Sequence, residues 1–107
     1  VPSFLGLAQA SQSITADASS QVADVTSAIT EINATSATGA ISLADGSDGQ
    51  IQIFINTSTG GTNNVVITPT NLRGYTTITL NAPGETAVCI FKNSNWNIIG
   101  GQGYAAA

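Results

Sequence analysis

The chain has 107 residues, enough for one compact domain, and its formal net charge of −4 includes only two cationic side chains, Arg73 and Lys92. Two isolated cations cannot neutralise a run of phosphates, so we expect no nucleic-acid partner. Hydrophobic residues make up 42% of the chain, yet no apolar run is long enough to cross a bilayer and no basic amphipathic stretch is present to bind its surface.

The first ten residues form an apolar segment without strand or helix periodicity. They lack the positively charged n-region of a signal peptide, so export is not expected. Phe4, Leu5 and Leu7 would be poorly solvated on a free arm, and we predict that they contact a neighbouring subunit or the surface of a larger particle. The alternative is a frayed terminus.

Residues 11–38 are rich in Ala, Ser and Thr and admit two interpretations. Four apolar residues follow the spacing of one helix face: Val22, Val25, Ile29 and Ile32. β-Branched residues dominate the stretch, however, and these residues favour strands. We predict strands here, and we treat residues 1–39 as an N-terminal arm and contact region.

Alternation typical of strands is clearest in two later segments. In Gln50–Asn56, three isoleucines lie on one side of the strand, and we predict that this side faces the core. The three residues are Ile51, Ile53 and Ile55. In Thr76–Leu80, the same argument predicts that Ile78 and Leu80 point inward.

Further strands are predicted at 40–43, 64–68, 87–92 and 95–99, separated by turns rich in Gly, Pro and Asn. This spacing predicts an all-β fold: a small antiparallel β-sandwich or barrel-like domain over residues 40–107, preceded by the extended arm. No exact internal repeat is visible, which argues against a regular solenoid but leaves a distorted β-helix open. Because few charges protect the sheet edges, we expect an oligomer.

Residue types that carry catalysis are scarce in this chain. Histidine is absent, and with it the commonest general base and metal ligand. The single cysteine, Cys89, lies in an apolar strand and is expected to be a buried core thiol. No spacing among the six acidic residues selects a catalytic pair. We therefore expect no catalytic residues, no cofactor and no enzymatic activity.

Two constellations could still carry binding. Asp45 and Asp48 lie in a glycine-rich loop that could supply oxygen ligands to Ca²⁺, but Asp-Gly pairs are also common in turns, and we favour a turn with no metal site. Tyr75 and Trp96 could contact a sugar, whereas single aromatic residues on strands are more often core or interface anchors.

Four stretches resemble a module found in virion structural proteins of tailed bacteriophages, especially marine ones. They are Ile41–Ile51 (ISLADGSDGQI), Val65–Leu72 (VVITPTNL), Thr76–Leu80 (TTITL) and Asn95–Ile99 (NWNII). The resemblance spans roughly residues 40–100. It implies a component of the particle exterior, such as a head-decorating protein, a knob or a fibre segment, without enzymatic activity and often with threefold assembly.

On this resemblance we expect a capsid decoration (cement) protein that coats or stabilises the phage head. Its location would be the capsid exterior of the virion, and its partners would be the major capsid protein and further copies of the chain in a homotrimer. The alternative is a fibre, or a receptor- or glycan-binding module of a phage or bacterial surface.

Overall fold

The computed structural model describes residues 9–59 and 63–107, so the predicted contact residues Phe4, Leu5 and Leu7 lie outside the described residues. The described part of the chain contains no helix, and therefore none that could cross a membrane. Ten strands account for its regular structure: β1 (Ser11–Ala16), β2 (Gln21–Ala23), β3 (Ile29–Ala34), β4 (Thr38–Leu43), β5 (Ile51–Asn56), β6 (Asn64–Pro69), β7 (Ile78–Leu80), β8 (Thr86–Lys92), β9 (Asn95–Gln102) and β10 (Ala105–Ala106).

The strands form two five-stranded sheets with a core between them. Sheet 1 has the order β1-β3-β5-β8-β9, and sheet 2 has the order β10-β7-β6-β4-β2. The predicted all-β, sandwich-like fold is confirmed, and so is the prediction of strands in residues 11–38; the helical alternative is wrong. The division predicted between residues 39 and 40 falls within β4.

Both sheets are mixed rather than purely antiparallel. The first six strands alternate between the sheets, so that β1, β3 and β5 pair in parallel, as do β2, β4 and β6. The later strands add antiparallel pairs, in which β8 and β9 extend sheet 1, and β7 and β10 extend sheet 2. The expected antiparallel pairing therefore holds for the last four strands only, because the earlier chain crosses to the opposite sheet after every strand.

Strands β1 to β6 form a distorted β-helix, the alternative that the sequence left open. Each coil of this β-helix contributes one strand to each sheet. Along sheet 1, Ser11 pairs with Ile29 and Ile29 pairs with Ile53, so successive coils differ in length. Unequal coils leave no fixed period in the sequence, which explains why no repeat was visible.

Inward-facing side chains of both sheets form one hydrophobic core, in which Trp96 and Phe54 are the largest fully buried residues. The two sheets approach each other closely at Gly39. A Cβ on Gly39 would lie 2.8 Å from the Cβ of Ala34 and 3.1 Å from that of Ala16. Glycine is therefore needed where β4 passes over β1 and β3.

The predicted orientation of β5 is wrong. Its buried residues are Gln52, Phe54 and Asn56, whereas Ile53 and Ile55 are only half-buried and Ile51 is 42% exposed. The other part of this prediction is confirmed, since Ile78 and Leu80 of β7 are fully buried.

Hydrogen bonds explain why two polar side chains of β5 point inward. Gln52 Nε2 donates to the carbonyl oxygens of Ser27 at 2.8 Å and Val25 at 3.1 Å. Asn56 Nδ2 donates to the Leu80 carbonyl at 2.9 Å, and its Oδ1 accepts from the Ser58 backbone N–H at 2.9 Å. Isoleucine could satisfy none of these buried backbone groups, and an unpaired one costs about 1–3 kcal/mol.

We predict that Phe54→Ala lowers the free energy of unfolding by about 3–5 kcal/mol, because it leaves a cavity in the core. The neighbouring substitution Ile51→Ala should cost less than about 1 kcal/mol, since that side chain is partly in solvent. Urea denaturation of both variants measures the difference. Equal losses would contradict the assigned orientation of β5.

Candidate functional site

The outer side of sheet 1 carries rows of aliphatic side chains that are not part of the core. One row joins Ile29, Ile53 and Val88 on three neighbouring strands, and the next joins Ile51 and Ile90. We call this surface the isoleucine face and define it by six residues: Ile29, Ile51, Ile53, Ile55, Val88 and Ile90. None of the six is fully buried.

The last strand of sheet 1 extends this surface. In β9, Ile98 packs against the core, so the next residue, Ile99, points to the outer side and is 58% exposed. Val88 pairs with Gly100 and Cys89 pairs with Ile98, so Ile99 is the extra residue of a β-bulge next to Val88 of the isoleucine face.

The outer side of sheet 2 has a different chemistry. One of its rows joins Ala40, Val66 and Thr79, and another joins Val22, Ser42 and Thr68. Small and hydroxyl-bearing side chains are solvated easily, whereas rows of isoleucine are not. Val22 and Val66 are the larger aliphatic side chains in these rows, so the outer side of sheet 2 is more polar than that of sheet 1.

A cavity of about 410 Å³ opens at the end of the isoleucine face where β3 and β5 begin. Apolar and uncharged polar residues line it: Gln9, Val25, Thr26, Ala28, Gly49, Gln50, Ile51 and Ile53. Because the lining includes no charged side chain, the cavity suits an apolar group better than an ion.

On the described strands β3, β5 and β8, charged side chains lie at the two ends of the isoleucine face. Glu31 shares a row with Ile55 and Thr86, and its Oε2 accepts a hydrogen bond from Ser13 Oγ at 3.1 Å. Lys92 lies at the opposite end of β8, where its Nζ is 3.4 Å from Asp48 Oδ2. The side chains of Lys92 and Asp48 are both more than half exposed, so the ion pair between them adds little stability.

Strict alternation could not reveal this surface, because it separates two sides of a strand without showing which one is buried. The sequence feature that indicates the buried side of β5 is Phe54, together with the amide residues Gln52 and Asn56 on the same side. An inward Phe fills more of the core than an isoleucine, and inward amides can reach loop carbonyls.

The Asp45–Gly49 loop is a turn, as predicted. Asn71 Nδ2 donates to both carboxylate oxygens of Asp45, at 3.0 and 2.9 Å. Asp48 Oδ1 accepts from the Asn93 backbone N–H at 3.2 Å, and Gly49 has a φ of +92°. The two carboxylates therefore hold neighbouring segments together.

We predict that chelation by EDTA leaves the thermal midpoint unchanged, because Asp45 and Asp48 already accept hydrogen bonds within the protein. Among the described residues, no group of three or more His, Cys, Asp or Glu side chains is arranged to hold a metal ion. A midpoint that falls with EDTA and returns with Ca²⁺ would instead make this loop a metal site.

The aromatic residues lie in different environments. Trp96 is fully buried, its ring meets Phe91 edge to face at 5.1 Å, and its N–H donates to the Ala44 carbonyl at 2.9 Å. A sugar-contacting role for Trp96 is therefore wrong. Tyr75 is 51% exposed, so a role in sugar contact stays a prediction for this residue alone.

Cys89 is a buried core thiol, as predicted. Burial raises the pKa of its thiol from 9.0 to about 12, because the thiolate would be poorly solvated in the core. The reactive thiolate form is thus suppressed in the folded protein.

We predict that a thiol reagent labels Cys89 at neutral pH only after denaturation. Since the folded pKa is the higher one, the unfolded chain loses its proton first, and stability should fall as the pH rises from about 9 to 12. Mass spectrometry with and without urea measures the labelling. Rapid labelling of the folded protein would contradict the burial.

No model of a known protein family matches the chain, and no curated protein matches it.

Proposed function

We propose that the protein is a structural, non-catalytic subunit on the exterior of a bacteriophage particle, a capsid decoration protein that coats or stabilises the head. The observation that carries the proposal is the isoleucine face. A small domain with few charges presents rows of aliphatic side chains on one sheet and hydroxyl-bearing side chains on the other. Exposed aliphatic patches of this kind mark protein contacts.

The chemistry of the described residues fits a structural role better than a catalytic one. The carboxylates of Asp45 and Asp48 bind neighbouring segments, the thiol of Cys89 is buried, and Trp96 belongs to the core. Residues 40–100 also resemble a virion surface module, and that resemblance supplies the phage context of the proposal.

The proposed partners are the major capsid protein and further copies of the chain, with neither nucleic acid nor membrane involved. Phe4, Leu5 and Leu7 are proposed as the contact with the capsid or a neighbouring subunit. A homotrimer is the assembly that the resemblance implies.

A fibre segment is the second candidate, favoured by two edge strands that lie in neighbouring parts of the chain. Strands β1 and β2 are the edges of the two sheets, and neither has a further strand partner among the described residues. Open edges of stacked coils can accept additional strands.

We predict that deleting residues 1–8 weakens binding to undecorated phage heads at least about tenfold, because burial of the three apolar side chains is lost. The deletion keeps Ala10, whose carbonyl accepts from the Ile29 N–H at 3.2 Å, so the β-domain should stay folded. Co-sedimentation with heads measures binding, and circular dichroism checks the fold.

A full-length variant with Phe4→Ala, Leu5→Ala and Leu7→Ala is the matched control, and it should bind heads as weakly as the deletion. Failure of the wild-type protein to bind undecorated heads would refute the decoration role. Elongated assemblies in electron micrographs would then support the fibre.

A further inference from the structure

We infer that the isoleucine face is a self-association surface, which packs against the same face of a second copy of this chain about a twofold axis. The inference rests on the proposed role as an assembly subunit and names the partner of its aliphatic surface; this twofold contact is separate from the threefold contact of the proposed homotrimer.

The shape and chemistry of the face suit another sheet. Its side chains are all Ile or Val, and their rows cross β3, β5 and β8 in continuous register. Two such sheet faces can pack about 10 Å apart with interdigitating side chains. The face itself has no aromatic ring to stack on a sugar, and the net charge of −4 opposes binding to anionic lipid.

Two of the charges at the ends of the face, Glu31 and Lys92, have symmetric positions about β5, and Lys92 also pairs with Asp48 of its own chain. Glu31 lies on β3, one strand to one side, level with Ile55. Lys92 lies on β8, one strand to the other side, and two residues beyond the pair formed by Ile90 and Ile51. The midpoint between the two charges therefore falls over β5, between Ile51 and Ile53.

This placement makes the face self-complementary. A twofold axis that lies in the interface and passes over β5 between Ile51 and Ile53 can bring Glu31 of each copy opposite Lys92 of the other. Two ion pairs would then flank an aliphatic centre, and each residue would contribute twice, as in any isologous interface. A twofold axis parallel to the line from Glu31 to Lys92 would instead place like charges opposite each other. The charges therefore also favour one direction of the axis.

The size of the face sets the strength of the pairing. The three strands of the face, spaced about 4.8 Å apart and about 20 Å long, together with the adjoining Ile99 on β9, give at most roughly 400 Å² per copy. This is about half of the ~800 Å² per partner that a standard interface buries. Association through this face is therefore weak in dilute solution and stronger where copies are concentrated on a shared scaffold.

The first test changes the two most exposed aliphatic residues of this surface, in the variants Ile51→Asp and Ile99→Asp. We expect the wild-type protein to form dimers between about 10 μM and 1 mM, and each variant to weaken dimerisation at least roughly tenfold. Val22→Asp is the matched control, because Val22 is 72% exposed but lies on β2 of sheet 2. Analytical ultracentrifugation measures mass, and circular dichroism checks the fold.

The second test exchanges the two charges. Glu31→Lys and Lys92→Glu should each weaken dimerisation, and the double variant should regain most of it. Lys92→Glu also places a carboxylate beside Asp48, but this local effect is shared by the single and double variants. Recovery in the double variant therefore reports the contact between copies.

Three results would overturn the inference. They are a wild-type protein that stays monomeric to about 1 mM, Val22→Asp weakening association as much as Ile51→Asp, and a trimer that the face variants disrupt. Binding to phage heads is measured separately. Loss of self-association with intact head binding would refute this inference alone, whereas dimers that do not bind heads would refute only the decoration role.

Discussion

The inward orientation of Gln52, Phe54 and Asn56 is the constraint on which the rest of the structure depends. β5 is the central strand of sheet 1, with a parallel neighbour on one side and an antiparallel neighbour on the other. The Gln52 amide holds the loop before β3, and the Asn56 amide holds the end of β7. β5 therefore joins the parallel strands of sheet 1 to its antiparallel strands. Because side chains alternate along the strand, its three isoleucines face outward.

The inward orientation of Gln52, Phe54 and Asn56 also links the fold to the proposed role. Had the isoleucines of β5 been buried, two amides and one ring would separate Ile29 on β3 from Val88 and Ile90 on β8, and the rows of aliphatic side chains would be interrupted. Instead the outer surface of sheet 1 is apolar while that of sheet 2 is rich in Thr and Ser. A difference of this kind between two faces suits a subunit with one face in contact and the other in water.

Most groups that could have carried chemistry are used to hold the chain together. Asp45 binds Asn71, Asp48 binds the turn between β8 and β9, and the Trp96 N–H binds the Ala44 carbonyl. Buried polar groups in a small core require such partners, and few side chains remain for a catalytic arrangement. These contacts are consistent with the proposed role in assembly.

The sequence by itself determined the all-β fold, the positions of most strands and turns, and the burial of Cys89, Ile78 and Leu80, because alternation and turn composition are local properties. Only the tertiary structure decided which side of β5 is buried, since that depends on carbonyl groups of loops far along the chain. It also decided the parallel pairing of the first six strands, because crossing between sheets leaves no local signal when the coils differ in length. The isoleucine face follows from both features. Its residues can be identified in the sequence, but their exposure depends on the tertiary structure.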